Sequence, residues 1–397
     1  MKTLSPLQIS PRHLSPRHLS LLYLVYFLSL GIAVPYVPVA MRRIGFTGDE
    51  IGAAMAVGLA LYVATPPVWG WFADRAGGGG RQLVAAAVGS AAGMVLAAVL
   101  PGKLGFALGL LVYACMRTPV SPLLDALTLA HPAIGREGFG RVRRWGSVGF
   151  VLGAFVTGLF VDRLGAGQIV GLVALQWVLL VALALAMGLH RAVPAPPVAL
   201  APRRLYGEPR VWAFLAVSAV HAGCGVPYDT YFAIHAADVG LAGHWVGTAW
   251  GLGVTVEVLV LTHLEGMVQR FGPKRILLAA YATGLLRWAL TAAIPGGVPL
   301  ALVQAVHGVS FGAFFGASVV WLDRVVPAEL RASAQSVFAA VVWGGGGIVA
   351  QLIAGPVYGH FGGRALFAGA AVTEVVPLLA LALLLSEPPA EKSLTRD

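Results

Sequence analysis

The sequence predicts an all-α membrane protein of about twelve transmembrane helices in two pseudo-symmetric six-helix bundles. Hydrophobic residues make up 58% of the chain and charged residues only 11%, whereas a typical soluble domain has about 25% charged residues. The apolar residues form continuous runs, such as 277–294 and 365–385, unlike the roughly ten-residue alternating strands of a membrane β-barrel. Because lipid offers no hydrogen-bond partners, such runs must satisfy their own backbone groups as helices.

Apolar runs of about 20 residues, the length needed to cross a bilayer, recur along the whole chain. We number them as spans 1–12; the first run is too long for a cleaved signal peptide and is counted as span 1. The spans lie near residues 19–40, 51–72, 82–100, 103–130, 144–162, 167–189, 211–236, 244–268, 275–294, 298–322, 335–358 and 364–385.

Lysine and arginine are distributed unevenly between alternate loops. One side of the membrane receives 20 of them and the other side 5, and the remaining two, Arg117 and Arg287, fall inside spans. The positive-inside rule therefore predicts that both termini are cytoplasmic, and we expect a bacterial inner membrane. The formal net charge of +10 reflects these cytoplasmic loops, so no nucleic-acid partner is predicted.

The chain divides near its middle, where a polar break carries five prolines and four arginines. Trp145-Gly-Ser-Val-Gly149 recurs as Trp343-Gly-Gly-Gly-Gly347, and Asp125 corresponds to Asp323 at the same offset of 198 residues. Duplicated halves with a site at the midplane describe a carrier that alternates access by rocking. The predicted parts are a cytoplasmic tail 1–18, an N-terminal bundle 19–189, a cytoplasmic linker 190–210, a C-terminal bundle 211–385 and a cytoplasmic tail 386–397.

The loop between spans 2 and 3 carries Gly70-Trp-Phe-Ala-Asp74-Arg75-Ala-Gly77, with Arg81 beyond it. A phosphate-binding glycine loop is excluded because no Gly-Lys-Ser/Thr ending follows. The motif resembles the loop signature of the major facilitator superfamily, and this resemblance covers the whole chain. It implies the major facilitator fold and a gate in which Asp74 latches span 2 to span 11, with ordinary solvation of the loop as the alternative. The gating residues it implies are Gly70, Asp74, Arg75, Gly77 and Arg81.

Span 4 carries Asp125, and Arg143 stands 18 positions further on, just before span 5. This arrangement resembles the branch of lactose-permease and phenylpropionate-permease proton symporters, and implies that both residues belong to the substrate site. A gate pair at the cytoplasmic end is the alternative. Gly272, Arg287 and His307 also have the spacing of that branch. Lactose permease, however, has a glutamate three residues after the histidine, where this chain has Ser310. The chain therefore resembles the phenylpropionate-like relatives more.

An ionisable residue inside a span costs roughly 2.5–3.5 kcal/mol and is therefore a functional candidate. Glu257 in span 8 stands between apolar neighbours. Burial favours its neutral form and a nearby cation its charged form, so it is suited to load and release a proton. We predict that Glu257 is the proton carrier and that Arg287 and His307 are its partners in proton coupling. A static buried ion pair that holds spans 8, 9 and 10 together is the alternative.

Arg117 lies in the middle of span 4, too deep for its side chain to reach an interface easily. A guanidinium recognises a carboxylate through two parallel hydrogen bonds. We therefore predict that Arg117 binds an anionic substrate, with a salt bridge to Asp125 as the alternative. In span 7, Pro227 should loosen the helix, and we predict that Tyr228 and Asp229 line the same substrate site. His221 is a further polar residue of that span.

These features predict proton-coupled symport of a small organic solute by alternating access. An aromatic or other organic acid is the first choice of solute, and a sugar or nucleoside is the second. A proton-driven exporter of hydrophobic compounds and a non-transporting receptor or scaffold remain open. The sequence has no metal-ligand spacing and no nucleophile motif, so we expect no enzyme activity and no cofactor. The predicted partners are the solute, protons and the bilayer, and the predicted state is a monomer.

Overall fold

The computed structural model describes residues 14–75, 79–190, 209–327 and 330–387, and these residues are helical almost throughout. No strand occurs in this part of the chain. The predicted all-α membrane class is therefore confirmed. Most of the predicted linker and both predicted tails fall outside the described residues, so the predicted boundaries between the parts stay a prediction.

The first helix shows how local sequence sets the ends of the elements. Ser15 accepts a hydrogen bond from the backbone N–H of His18, and Pro16 stands at the first helical position, both of which favour a helix start. Gly45, at φ 96°, ends the helix in the left-handed conformation that glycine adopts without strain. The helices of the first part are α1 (Pro16–Ile44), α2 (Gly48–Arg75), α3 (Gly79–Val99), α4 (Gly102–Arg117), α5 (Val120–Leu129), α6 (Gly135–Leu164) and α7 (Ile169–Ala186).

The second part begins at Pro209, two residues before the predicted start of span 7. Two π-helical turns, Gly308–Ala313 and Ala339–Gly346, interrupt its later helices. Such turns are rare and are often found at functional sites. The helices of this part are α8 (Pro209–Asp238), α9 (Gly243–Phe271), α10 (Pro273–Ala293), α11 (Val298–Leu302), α12 (Phe314–Val325), α13 (Arg331–Phe338) and α14 (Gly347–Leu384).

Ten helical runs in the described residues are long and apolar enough to cross a membrane. The last run, Ser333–Leu384, has 52 residues, or roughly 78 Å at 1.5 Å per residue. That is more than twice the roughly 30 Å of a bilayer core, and the run turns at Gly362, where φ is 77°. Its length fits the two spans predicted there. If this run is counted as two spans and α2, with 28 residues, is added, the ten runs correspond to twelve spans. This equals the predicted number, which itself stays a prediction.

The helices form two compact units, each with its own packing. The N-terminal unit contains α1, α3–α7 and the part of α2 from Ala60 onward. In it, α1 packs against α6 and α7, and glycines allow a close approach. A Cβ on Gly149 would lie only 2.1 Å from the carbonyl oxygen of Leu24. Small residues at such contacts let membrane helices pack backbone to backbone.

The C-terminal unit contains α8–α14 together with the first part of α2, up to Leu59. This part of α2 packs closely against α14, because a Cβ on Gly48 would lie 2.6 Å from the carbonyl oxygen of Gly355. The hydroxyl of Tyr231 on α8 donates to the carbonyl of Gly48 at 3.1 Å. The centre of the unit is the packing of α14 against both α8 and α10, and this packing positions the buried polar residues described below.

Candidate functional site

The fourth predicted span is broken in its middle, and Arg117 is the last residue before the break. Helix α4 ends at Arg117 and α5 begins at Val120. Pro119 has no N–H to donate to the carbonyl of Cys115, and the hydroxyl of Thr118 donates to that carbonyl instead, at 3.4 Å. Discontinuous helices of this kind are typical of transporter binding sites, where freed backbone groups face the ligand.

Tyrosine rings surround the half-buried Arg117 side chain. Its guanidinium lies 5.7 Å from the centre of the Tyr113 ring, and Tyr26 and Tyr62 are close enough to interact with its charge. In the described part of the chain it forms no ion pair with Asp125 or another carboxylate. The arrangement leaves a cation inside a span with aromatic neighbours and without a carboxylate partner in the described residues.

Asp125 and Arg143, 18 residues apart in the chain, come together in the N-terminal unit. Arg143 Nε lies 3.9 Å from Asp125 Oδ1, and each side chain is 34% exposed. The hydroxyl of Tyr23 donates to the same Asp125 oxygen at 2.5 Å, and the Arg143 guanidinium lies 4.1 Å from the centre of the Phe27 ring. The ion pair is loose and partly solvated, so its polar atoms remain accessible to a ligand.

In the C-terminal unit, Arg287 lies at the centre of a buried polar cluster. Its side chain is 2% exposed, and its guanidinium lies 4.2 Å from the ring centre of Tyr228 and 4.1 Å from that of Trp288. Arg287 Nε donates to Gln304 Oε1 at 2.9 Å, and Nη1 lies 3.0 Å from His307 Nδ1. Gln304 is held in turn by the hydroxyl of Thr291 at 3.1 Å.

The contact with Arg287 determines the protonation of His307. An arginine only donates hydrogen bonds, so Nδ1 of His307 must accept, and the ring proton is on Nε2. Protonation of Nδ1 would place two positive groups 3.0 Å apart in a buried site. The ring also stacks against Tyr228 and Phe311, with centres 5.6 and 5.1 Å away. His307 is therefore neutral in this arrangement and becomes a proton acceptor only if Arg287 moves away.

Glu257 lies one turn of α9 from the contact with His307. A Cβ on Gly253 would lie 3.1 Å from His307 Cδ2, and a Cβ on Gly312 would lie 3.2 Å from Glu257 Cγ. The π-helical turn after His307 thus faces the stretch of α9 that carries Glu257. The structure brings Arg287 and His307 into direct contact and places Glu257 against the π-helical turn that follows His307.

Tyr228 and Asp229, the predicted site residues of α8, point in different directions. The Tyr228 side chain is 1% exposed and packs on Arg287 and Trp250. The Asp229 side chain is exposed, yet its charge acts on Arg287. Asp229 therefore joins the Arg287 cluster electrostatically, which the sequence pattern did not indicate.

A second buried polar pair was missed by sequence reasoning. Glu374 on α14 is fully buried, and its Oε1 shares a hydrogen bond with Nδ1 of His221 on α8, which is 7% exposed. His221 stands out in the sequence as a polar residue of span 7, but no feature of the sequence indicates its partner. The signal that could have found Glu374 is its position as a lone acid within the apolar run 365–385.

The predicted gating motif lies at the end of α2. Gly70, Asp74 and Arg75 belong to that helix, and Gly77 lies outside the described residues. Arg81 on α3 donates from Nε to the carbonyl of His190 at 3.0 Å, which connects the start of α3 to the segment after α7. The gating role of the motif stays a prediction. Among the described residues, no group of three His, Cys, Asp or Glu side chains is suited to hold a metal ion.

Two helical units with charged residues held inside their spans define a secondary transporter. The sequence of residues 17–369 matches the MFS_1 like family, and the chain belongs to this family. The chain is 28% identical to the probable 3-phenylpropionic acid transporter of Escherichia coli K12 over 351 residues, 86% of this chain and 90% of the relative. It is 26% identical to the maltose permease of Geobacillus stearothermophilus over 368 residues, 92% and 93% of the two chains.

A solved structure extends the comparison of the fold. The crystal structure of the nucleoside transporter NupG has a TM-score of 0.79 at 20% identity, covering 92% of this chain and 98% of that chain. Together the family and the relatives show an integral membrane protein of the major facilitator superfamily that transports small solutes and is not an enzyme. The predicted resemblance to major facilitator transporters is confirmed.

Proposed function

We propose that this transporter carries a small organic acid, in the first place an aromatic one, together with protons by alternating access. The observation that supports the acid is Arg117, a cation inside a broken span that has aromatic neighbours and no carboxylate partner among the described residues. A ligand carboxylate would supply the missing counter-charge through two parallel hydrogen bonds. The tyrosine rings would pack against the aromatic part of the same ligand.

The relatives support two solute classes. The probable 3-phenylpropionic acid transporter favours the acid, whereas the maltose permease and the structural likeness to NupG leave room for a sugar or nucleoside. For that second class the supporting observation is Asp125, which already accepts a hydrogen bond from the Tyr23 hydroxyl. A partly exposed carboxylate that binds one hydroxyl is suited to bind the hydroxyls of a polar ligand.

Proton coupling is supported by the cluster of Arg287, His307 and Glu257. His307 is neutral while Arg287 donates to it, and Glu257 lies one turn away in an apolar helix face. A shift of Arg287 toward either residue would change which of them holds a proton. We propose that this exchange links the proton to the solute, with both termini in the cytoplasm of a bacterial cell and a monomer as the working unit.

The experiment is uptake into proteoliposomes that contain the purified full-length protein. Labelled 3-phenylpropionate, maltose and uridine are each offered with an inward proton gradient, and protein-free vesicles correct for passive diffusion of the acid. The proposal expects accumulation of 3-phenylpropionate that a protonophore abolishes. Accumulation of maltose or uridine instead would favour the second class of solute. Gradient-driven loss of the compound from loaded vesicles would indicate an exporter, and binding without flux would indicate a receptor.

A further inference from the structure

Glu374 is a buried acid that the proposed function does not use. Its side chain is completely buried in α14, and its Oε1 shares a hydrogen bond with Nδ1 of His221. In the described part of the chain its second oxygen, Oε2, has no hydrogen-bond partner. A carboxyl group at this depth is costly unless it is neutral or paired, so its protonation state needs a physical account.

Residues of α8, α10 and α12 surround the pair of His221 and Glu374. From α8, Cys224 lies close to Glu374. From α10, the Tyr281 ring stacks on His221 with ring centres 4.1 Å apart. Gly284, also on α10, leaves room for both side chains, since a Cβ there would lie 3.3 Å from His221 Cε1 and 3.5 Å from the Glu374 carboxyl. From α12, Phe314 approaches His221 edge-on at 4.5 Å.

The described surroundings of the pair provide no fixed positive charge. No lysine or arginine in the described residues forms an ion pair with Glu374. The nearest arginine along α10 is Arg287, one turn beyond Gly284, and it donates to Gln304 and His307. Glu374 and His221 together are electrically neutral when they share one proton, either as acid and neutral imidazole or as carboxylate and imidazolium. Losing that proton leaves a buried negative charge, and gaining a second leaves a buried positive charge.

The pair is built into the same helices as the Arg287 cluster. On α10, Gly284 lies one turn before Arg287, and on α8, His221 lies two turns before Tyr228, which corresponds to about 10.5 Å along the axis. Pro377, buried one turn after Glu374, has no N–H to donate to the carbonyl of Thr373. Helix α14 is therefore weakened beside Glu374, where a small bend would change the contact with His221.

From this geometry we propose that His221 and Glu374 form a second proton-binding site, which takes up and releases one proton during the transport cycle. The inference rests on the proposed proton coupling and deepens it by naming a further place where a proton is held. The step is a simple exchange, in which an O–H or N–H bond forms with a proton from water on one side of the membrane and breaks to return a proton to water on the other. Helices α8 and α10 carry residues of both sites, and they connect the protonation of the His221–Glu374 pair to the position of Arg287.

The test is infrared spectroscopy of the purified full-length protein between about pH 5 and pH 8, the interval in which histidine changes charge. Wild type is compared with Glu374→Gln, His221→Asn and the control Glu265→Gln, which removes an exposed glutamate of α9. The proposal expects a titrating carboxylic-acid band in wild type and in the control. That band is absent in Glu374→Gln, and its midpoint is shifted in His221→Asn.

The thiol of Cys224 provides a local reporter of the same site, since it lies beside Glu374. Its S–H stretch should shift with the midpoint of the carboxyl band in wild type and stay constant in Glu374→Gln. The proposal is overturned if Glu374→Gln keeps every titrating band, or if the Glu374 band stays constant across the whole pH interval. The second outcome would make the pair a static contact between helices.

The same variants separate the two proposals. A titrating Glu374 band in a protein that transports no offered solute would remove the proposed function and leave the proton-binding site standing. Proton-driven uptake of 3-phenylpropionate that is unaffected by Glu374→Gln would have the opposite meaning, because the function would stand and the second site would fall.

Discussion

In the N-terminal unit, the side chains of Asp125 and Arg143 are each 34% exposed and lie 3.9 Å apart. In the C-terminal unit, Arg287 is 2% exposed and Glu374 is completely buried, and each has a close hydrogen-bond partner. A partly solvated charge can exchange water for a ligand at little cost, whereas a buried charge must be neutralised by the protein or by a proton. The proposed function follows this contrast, because it assigns solute binding to residues of the N-terminal unit and proton handling to residues of the C-terminal unit.

The two units interrupt the corresponding span by different means. In the N-terminal unit Pro119 breaks the helix and leaves Arg117 at its end. In the C-terminal unit the turn Gly308–Ala313 is π-helical and continuous with α12. Asp323, the counterpart of Asp125, accepts from Gln335 at 3.3 Å and has no arginine in the place of Arg143. The two spans thus carry acids at corresponding positions, but these acids have different partners.

The largest expected effect comes from Glu257→Gln. If the proton is handled in the C-terminal unit, this variant abolishes uphill accumulation of 3-phenylpropionate, because the neutral amide cannot release a proton. Exchange of labelled for unlabelled solute across the membrane should continue, since it needs no net proton movement. The control is Glu265→Gln on the same helix. Unchanged accumulation in Glu257→Gln would show that Glu257 does not carry the proton.

The next effect is that of Arg117→Ala on the binding of 3-phenylpropionate. Loss of one partner of a buried charged pair costs about 2–5 kcal/mol, and for the half-buried Arg117 we expect the lower end of this range, about 2 kcal/mol, which is roughly a 30-fold weaker affinity. Calorimetry of the purified variant measures this loss, with Arg163→Ala, at an exposed position of α6, as the control. Equal loss of uridine or maltose binding, or no loss at all, would show that Arg117 does not bind a carboxylate.

A smaller effect is expected on stability from Gly308→Ala. The added methyl carbon would lie 2.3 Å from the backbone nitrogen of Glu257, and overpacking of this kind costs about 1–3 kcal/mol. Gly171→Ala is the matched control, because nothing lies within 4 Å of a Cβ there. Thermal unfolding in detergent should separate the two variants, and equal midpoints would mean that α9 is not tightly packed on the π-helical turn.

The smallest effect is expected from Asp125→Asn. The amide oxygen can still accept from Tyr23, and the partly exposed ion pair with Arg143 contributes about 0.2–1 kcal/mol. The free energy of unfolding should therefore change by less than about 1 kcal/mol. A loss of several kcal/mol in thermal unfolding would mean that Asp125 needs its protein partners as much as the buried charged residues of the C-terminal unit do. The two units would then not differ in the way described above.

Several features could be predicted from sequence because their causes are local or compositional. Long apolar runs indicate membrane helices whatever their neighbours are, and the loop motif beginning at Gly70 indicated the superfamily that the family match confirms. The interruption of span 4 at Pro119 was not predicted, because a proline removes one backbone hydrogen bond but does not always end a helix, as Pro377 inside α14 shows. The spacing of Asp125 and Arg143 suggested a pair, and the structure places their side chains 3.9 Å apart.

The sequence by itself therefore determined the membrane class, the course of most helices and the short list of charged residues inside them. Only the tertiary structure decided which of those residues are partners. His221 and Glu374 are 153 positions apart, and the first part of α2 packs with the C-terminal unit because Gly48 fits against Gly355. Such contacts depend on how whole helices pack against one another. No spacing along the chain encodes them, because each helix face can meet several others until the packing is complete.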